Sequence, residues 1–207
     1  LETLMGVLEG EILVHNHCYR ADEMSVMLDI AKEFGYEVGT FHHAVEAYKI
    51  ADLLAESDTC AAMWADWWGF KMEAYDGIRE NIALVDNAGA CAIVHSDDDI
   101  GIQRLNQEAA KVMGAAARVD MDIPPESAIR WITANAAKSL GILEQTGTLE
   151  AGKMADVVVW TGNPFSVYSR AERVYIDGAL AYELGNDALN PVTDFTLGTS
   201  AAAGGAQ

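Results

Sequence analysis

Short apolar runs recur along the first 95 residues, with one run about every 25 to 30 positions. They are EILVH (11–15), YEVGTFH (36–42), CAAMWA (60–65) and CAIVH (91–95). Apolar residues at successive positions are typical of parallel strands, because helices cover both faces of such strands. The pattern therefore predicts four short, buried strands.

The segments between these runs have the apolar spacing of amphipathic helices. In residues 21–35 the apolar positions are Met24, Met27, Leu28 and Ala31, and a glycine closes the pattern. Further helices are predicted at 44–57, 75–89, 101–116 and 124–142. Strands that alternate with helices at this interval predict an α/β fold with a parallel sheet.

The pattern changes after residue 142. Residues 143–185 contain short apolar segments separated by Gly, Asn and Pro, which predicts a small β module. Residues 186–207 are small and polar, as in a loose tail. We therefore divide the chain into an α/β part (1–142), a β module (143–185) and a tail (186–207).

Composition and charge exclude several classes of function. Of the 207 residues, 51% are hydrophobic and 22% are charged, which is typical of a globular protein. The net charge of −19 makes nucleic acid an unexpected partner. The apolar runs are too short to span a membrane, so we expect no membrane partner and a soluble protein, cytoplasmic or periplasmic. The chain begins at Leu1 without a methionine or a visible signal peptide, and we expect that its true start is missing.

The cysteines do not suggest cross-linking. Cys18, Cys60 and Cys91 are odd in number and far apart along the chain. This spacing argues against a disulfide framework. We expect all three to be small, buried side chains.

Histidines gather where the predicted strands end. His15 ends the first strand, His42 and His43 end the second, and Asp97 follows the fourth. Ligands of parallel α/β proteins bind at the carboxyl ends of the strands. Imidazoles and a carboxylate there would form a ligand set of the catalytic zinc type. The alternative is a polar loop with structural histidines, in which residues 97–99 only cap a turn.

The pattern alone does not choose within the histidine pairs. Side chains alternate along a strand, so we expect only one of His42 and His43 to face the site. His17 shares the parity of His15, but we expect it to lie beyond the strand. His95 is expected in the core.

Five motifs resemble the C-terminal half of metal-dependent amidohydrolases, in the branch of the imidazolonepropionases and the Xaa-Pro dipeptidase-like enzymes. The motifs, within residues 11–182, are VHNHCYRADEM, FHHAVEAYK, VHSDD, ITANAAKSLGI and LEAGKMADVVVW. The resemblance implies strands five to eight of a (β/α)₈ TIM barrel, followed by a small β-sandwich module.

The resemblance also implies roles for single residues. His15, His43 and Asp97 would bind a divalent metal, expected to be zinc, as one or two ions. Asp97 would also be catalytic, carrying a proton from the hydrolytic water to the leaving nitrogen. Arg20 resembles a position that meets a substrate carboxylate; a surface arginine is the alternative.

Two further segments offer substrate contacts. The loop MWADWWGFKMEAY (63–75) would place Trp67, Trp68 or Lys71 against the substrate, or would only pack aromatic rings over the mouth of the barrel. Tyr48 is a further candidate for substrate binding. Lys49 would be a partner of the substrate or of Asp97, or a lysine on a helix surface.

We therefore expect a hydrolase of an amide or peptide-like C–N bond in a small molecule. The family's first-strand His-x-His pair and its strand-four lysine have no counterpart here. We thus expect a partial chain that is active only with the N-terminal half of the barrel; homo-oligomers are a further expectation. The alternatives are a non-catalytic half-barrel subunit, a decayed paralogue, and a barrel hydrolase acting on an ester or lactone.

Overall fold

A computed structural model of the chain describes residues 1–189, so most of the predicted tail lies outside the described residues. The helices of this part are α1 (Glu2–Leu8), α2 (Ala21–Phe34), α3 (Ala51–Glu56), α4 (Asn81–Asn87), α5 (Leu105–Ala117), α6 (Pro125–Arg130) and α7 (Ala134–Ser139). The strands are β1 (Val14–Cys18), β2 (Val38–His43), β3 (Cys60–Met63), β4 (Cys91–Val94), β5 (Val157–Trp160), β6 (Ala171–Ile176) and β7 (Ala179–Glu183). None of these helices is long and apolar enough to cross a membrane.

The first four strands form one parallel sheet, as predicted. Their order in the sheet is β1-β2-β3-β4, the same as in the chain. His43 pairs with Cys18 on one side and with Met63 on the other, and Met63 pairs with Val94. These partners are the last residues of their strands, so the carboxyl ends of the four strands are in register. The loops that follow the strands therefore lie at one edge of the sheet.

The two faces of this sheet have different neighbours. One face packs against the helices, and its Phe41 and Met63 share a buried cluster with Met24 of α2 and with Trp131. We call the opposite face the inner face; it carries His15, His17, Thr40, His42, Cys60, Ala62, Cys91 and Ile93. Full burial of a large side chain contributes about 1.5–3 kcal/mol to stability, so the helix-facing side holds the sheet in place.

The predicted helices are shorter in the structure. The single helix predicted over 124–142 is two helices in the structure, α6 and α7. The chain turns between them at Trp131, whose carbonyl accepts a hydrogen bond from the N–H of Val94. The prediction for 44–57 begins as a 3₁₀ turn, Ala47–Ile50. There the N–H of Tyr48 is bound by the side chain of Asn81 instead of by a helical carbonyl. Only α2 begins and ends as predicted, with Gly35 in the left-handed region at φ 74°.

The first strand was predicted too early in the chain. It runs over Val14–Cys18 instead of 11–15. His17 pairs with His42 inside the sheet, so the expectation that His17 lies beyond the strand was wrong. Backbone pairing with β2 continues through Asn16 and His17, two polar positions that the apolar pattern could not include.

The expectation of three unpaired cysteines was also wrong. Cys60 and Cys91 form a disulfide, and Cys18 is the one free, buried cysteine of residues 1–189. Cys60 and Cys91 are separated by 31 positions, but they are register partners at the start of β3 and β4, with a Cα–Cα distance of 4.4 Å. Distance along the chain was therefore a poor guide to distance in space.

Strands β5, β6 and β7 form a separate antiparallel sheet. The described residues of the module thus contain a single three-stranded sheet and not the two facing sheets of a sandwich. Phe165 packs against the main core, and Asn106 of α5 donates a hydrogen bond to the carbonyl of Pro164 at 2.6 Å. These contacts attach the module to the parallel sheet.

Candidate active site at the strand ends

All five histidines of the chain lie in one cluster at the carboxyl ends of β1, β2 and β4. Neighbouring ring centroids are 4.8–5.9 Å apart. The members are His15, His17, His42, His43 and His95. The strand-end pattern therefore predicted the location of the cluster, although it had assigned His17 to a loop and His95 to the core.

His15 occupies the deeper part of this cluster. Its Nε2 lies 2.9 Å from the carbonyl oxygen of Ser139, and its Nδ1 lies 3.0 Å from Nε2 of His42. A carbonyl only accepts hydrogen bonds, so Nε2 of His15 carries the proton and Nδ1 accepts from His42. Both ring nitrogens of His15 are therefore engaged in hydrogen bonds.

His17, His43 and Asp97 form a chain of contacts nearer the edge of the sheet. Nδ1 of His17 lies 2.8 Å from Nε2 of His43, and Nδ1 of His43 lies 3.1 Å from Oδ2 of Asp97. The second contact lacks the alignment of a hydrogen bond, and Nδ1 of His43 is buried without a hydrogen-bond partner. The structure thus brings together two of the three predicted metal ligands, His43 and Asp97, and adds His17.

The contacts of His43 permit two tautomers, because either nitrogen of the His17–His43 pair can be the donor. In the tautomer in which Nε2 of His43 donates to Nδ1 of His17, Nδ1 of His43 is unprotonated and directs its lone pair toward Oδ2 of Asp97. Two electron pairs so close together repel each other unless a proton or a cation lies between them.

The backbone of His43 explains how it reaches this position. His43 has φ 70° and Ala44 has φ 36°, a region that non-glycine residues seldom occupy. The bend lets the rings of His42 and His43 both contact His17 and His95. The expectation that only one of the pair faces the site, which assumed regular strand alternation, was therefore wrong. Strained backbone of this kind concentrates at functional sites.

Burial keeps imidazoles of this cluster neutral. It lowers the pKa of His42 to about 4, and neighbouring imidazoles act in the same direction. Burial also lowers the pKa of His95 to about 4, against the opposing effect of Asp97. The pKa of His43 is lowered for the same reason. Neutral imidazole is the form that binds metals.

An aromatic wall covers the outer side of His43. The rings of Tyr19 and Trp64 each stack on His43 with centroids 4.7 Å away, and Trp67 stacks on Trp64 at 5.0 Å. Beside this wall, Trp67, Trp68 and His43 line a cleft of about 300 Å³. Trp67 thus packs on another ring, as one of the two alternatives expected, and it also lines the cleft, while its contact with a substrate stays a prediction.

The other predicted substrate contacts are engaged elsewhere. Arg20 pairs with Asp22 through two hydrogen bonds, of 3.0 and 3.4 Å. The hydroxyl of Tyr48 donates to the carbonyl of Asp76. Lys49 pairs with Glu46 and Asp76 and not with Asp97. None of Arg20, Tyr48 and Lys49 is among the residues that line the cleft.

The three consecutive aspartates after β4 have separate roles. Oδ1 of Asp98 accepts hydrogen bonds from the N–H groups of Ile100 and Gly101, so it caps the turn that follows. Asp97 faces His43 and is 43% exposed at its side chain. The capping alternative therefore holds for Asp98, while Asp97 belongs to the cluster.

The donors present fit part of a metal site. Imidazole nitrogen and carboxylate oxygen are the ligands that zinc takes, and two ligands each about 2.1 Å from a tetrahedral ion are about 3.4 Å apart. The 3.1 Å separation of Nδ1 of His43 and Oδ2 of Asp97 is close to that value. Within residues 1–189, however, no group of three or more His, Cys, Asp or Glu side chains is arranged to hold a metal.

Buried atoms without partners identify the same place. Residues 1–189 contain four buried side-chain nitrogens that lack a hydrogen bond, and three of them belong to His43, Trp64 and His95. Such atoms are rare in native proteins, and a catalytic role or an absent ion accounts for many of them.

Sequence reasoning missed His17, although its shared parity with His15 was the available signal.

Comparison with known proteins identifies the family. The model described as "Amidohydrolase family" matches residues 11–182. The chain belongs to the amidohydrolase family. It is 30% identical over 186 residues to the amidohydrolase tasK of Hapsidospora irregularis, and this match covers 88% of this chain and 18% of the relative. It is 28% identical over 158 residues to an imidazolonepropionase of Brucella anthropi, with 75% of this chain and 36% of the relative covered.

A solved amidohydrolase has the same fold over slightly less than half of its length. The crystal structure of an amidohydrolase from Thermotoga maritima MSB8 matches with a TM-score of 0.78 and 33% identity. The match covers 88% of this chain and 46% of that one. The resemblance to amidohydrolases, and the expectation of partial coverage, are thus confirmed. This amidohydrolase chain spans less than half the length of each of these three proteins.

Proposed function

We propose that the chain forms strands five to eight of the TIM barrel of a metal-dependent amidohydrolase. In this proposal β1 to β4 are those four strands, and the complete barrel hydrolyses an amide or peptide-like C–N bond of a small substrate. The level strand ends, the inner face of histidines and the match to part of a solved amidohydrolase support it.

One contact carries the proposal: the buried Nδ1 of His43 beside Oδ2 of Asp97, without a hydrogen bond between them. His43 and Asp97 would hold a divalent cation, whose charge would remove this repulsion, and the other ligands would come from parts of the barrel outside these residues. His15 would join them only by giving up its hydrogen bond with His42.

The surrounding residues orient the site. By accepting the Nε2 proton of His43, His17 would fix that ring and its tautomer. Tyr19 and Trp64, which both stack on His43, would exclude water from the outer side of the cluster. A bound divalent ion supplies Lewis acidity and makes water nucleophilic near neutral pH.

Asp97 is the group that would move the proton. Its side chain is partly exposed, so a carboxylate oxygen not held by the ion can reach a water molecule. As the water oxygen adds to the carbonyl carbon, Asp97 would accept the proton. It would return that proton to the nitrogen as the C–N bond breaks.

Metal content and turnover of the complete protein containing this chain test the proposal. His43→Ala should lose bound zinc and should lower kcat/KM by about 10³-fold or more toward the best substrate of a panel of dipeptides, N-acyl amino acids and lactones. Asp99→Asn, an exposed change two positions from Asp97, is the matched control and should alter neither.

Unchanged zinc content and turnover in His43→Ala would refute the proposal. Turnover of the lactones alone would instead support the ester-hydrolase alternative. Wild-type protein without zinc or turnover would support a non-catalytic half-barrel.

A further inference from the structure

The cleft beside His43 contains a cation that the motifs did not indicate. Its lining includes His43, Trp67, Trp68 and, at the exposed end, Arg79. Arg79 lies between β3 and α4, in the same long loop as the two tryptophans. We infer that Arg79 binds a carboxylate of the substrate and thereby determines which amides the site accepts.

Arg79 differs from the other cations near the site because its guanidinium has no partner. Within residues 1–189 it forms neither an ion pair nor a side-chain hydrogen bond, whereas Arg20 is held by Asp22. The carboxylate that lines the same cleft, Asp66, is paired with Lys111 at 3.2 Å. The ammonium of Lys71 lies over the ring of Tyr19, 3.6 Å from its centroid. Arg79 is thus free to bind a ligand.

The backbone holds Arg79 in a fixed relation to His43. Two positions after Arg79, the buried side chain of Asn81 donates hydrogen bonds to the carbonyls of Ala44 and Val45, at 3.0 and 3.1 Å. Oδ1 of Asn81 accepts a third hydrogen bond from the N–H of Tyr48. Asn81 therefore clamps the segment that directly follows His43, so that the backbone that carries Arg79 is anchored to the end of β2.

The chemistry of the cleft defines a class of substrate. The planar guanidinium matches a carboxylate with two parallel hydrogen bonds. Trp67 and Trp68 line the same cleft as Arg79 and His43 and offer apolar surface to a ligand. The inference rests on the proposed function and adds to it that the substrate is a small amide with an apolar body and a carboxylate away from the scissile bond. A chain of net charge −19 would otherwise disfavour anions.

Binding of two matched ligands tests the inference without turnover. The probes are 3-phenylpropanoate and 3-phenylpropanol, which differ in charge and contain no bond that a hydrolase cleaves. Titration of the complete protein, followed by tryptophan fluorescence, should show binding of the carboxylate about tenfold tighter than that of the alcohol. Arg79→Gln should abolish this preference, and Arg79→Lys should retain part of it.

Arg118→Gln is the matched control. Arg118 directly follows α5 and is exposed, and its guanidinium has no partner among the described residues. It should keep the wild-type preference. Equal affinities in the wild type, no measurable binding of either probe, or a full preference in Arg79→Gln would overturn the inference. Because the probes are not hydrolysed, that outcome is separate from failure of the proposed function, which the zinc content of His43→Ala reports.

Discussion

The two ends of the parallel sheet differ in their chemistry. At the amino end, Cys60 and Cys91 are covalently joined, and the hydroxyl of Thr40 is hydrogen-bonded to that of Ser139 at 2.7 Å. At the carboxyl end, nitrogens of His43 and His95 are buried without partners. One end therefore has its polar groups satisfied and cross-linked, and the other leaves them available.

The backbone differs in the same way. Buried Thr59, just before β3, donates its hydroxyl to the carbonyl of Val38 at 2.9 Å, which holds the amino end of two strands together. His43, at the other end of β2, is held at φ 70°. Strain and unsatisfied groups persist only where the surrounding structure fixes them. The comparison indicates that the amino end stabilises the sheet so that the carboxyl end can hold reactive groups.

Removal of the disulfide tests the stabilising end and should have the largest effect on stability. The double variant Cys60→Ala/Cys91→Ala should lower the free energy of unfolding by about 3 kcal/mol, because the closed loop no longer restricts the unfolded chain. Turnover of the folded enzyme should change little, since the bond lies at the far end of the strands. Chemical denaturation and steady-state kinetics measure the two quantities.

Reductant provides the control for this variant. It should destabilise the wild type and leave the double variant unaffected. A variant as stable as the wild type would contradict a stabilising role of the amino end. A variant that loses as much activity as His43→Ala would contradict the assignment of the chemistry to the carboxyl end alone.

Alkylation of Cys18 tests the carboxyl end with a smaller perturbation. Cys18 ends β1 beside His17, and burial raises the pKa of its thiol to about 11, with the Glu23 carboxylate acting in the same direction. Since only the thiolate reacts, iodoacetamide labelling of the native protein should be slow at pH 8 and should rise about tenfold per pH unit up to pH 10.

Mass spectrometry of the labelled protein gives the result directly. Within this chain, the denatured, unreduced protein should take one label rapidly, and the denatured, reduced protein should take three. Rapid labelling of native Cys18 at pH 8 would contradict the assignment of a buried, protonated thiol at this end of the strand.

The sequence predicted the fold where each element has a regular pattern. The four apolar runs and the helical spacing of Met24, Met27, Leu28 and Ala31 were enough for a parallel α/β sheet and for α2. Patterns failed where a tertiary contact replaces a local one. Asn81 binds the N–H of Tyr48 and so breaks the predicted helix over 44–57. The carbonyl of Trp131 accepts a hydrogen bond from β4, at the turn that divides the predicted helix over 124–142.

The site was predictable in its location but not in its geometry. The strand ends indicated the region, and the resemblance to amidohydrolases selected His43 and Asp97 within it. The backbone of His43 departs from strand geometry, so alternation could not show that His42 and His43 join one cluster. The pairing of Cys60 with Cys91 depends on register, and the free guanidinium of Arg79 depends on which carboxylates are already paired. Neither can be read from one chain's pattern.

Anomalous diffraction at the zinc edge, from crystals of the complete protein grown with zinc, tests the central claim most directly. The account predicts a peak between Nδ1 of His43 and Oδ2 of Asp97, within bonding distance of both. A site without a peak there, with Nδ1 of His43 instead hydrogen-bonded to Asp97, would contradict it.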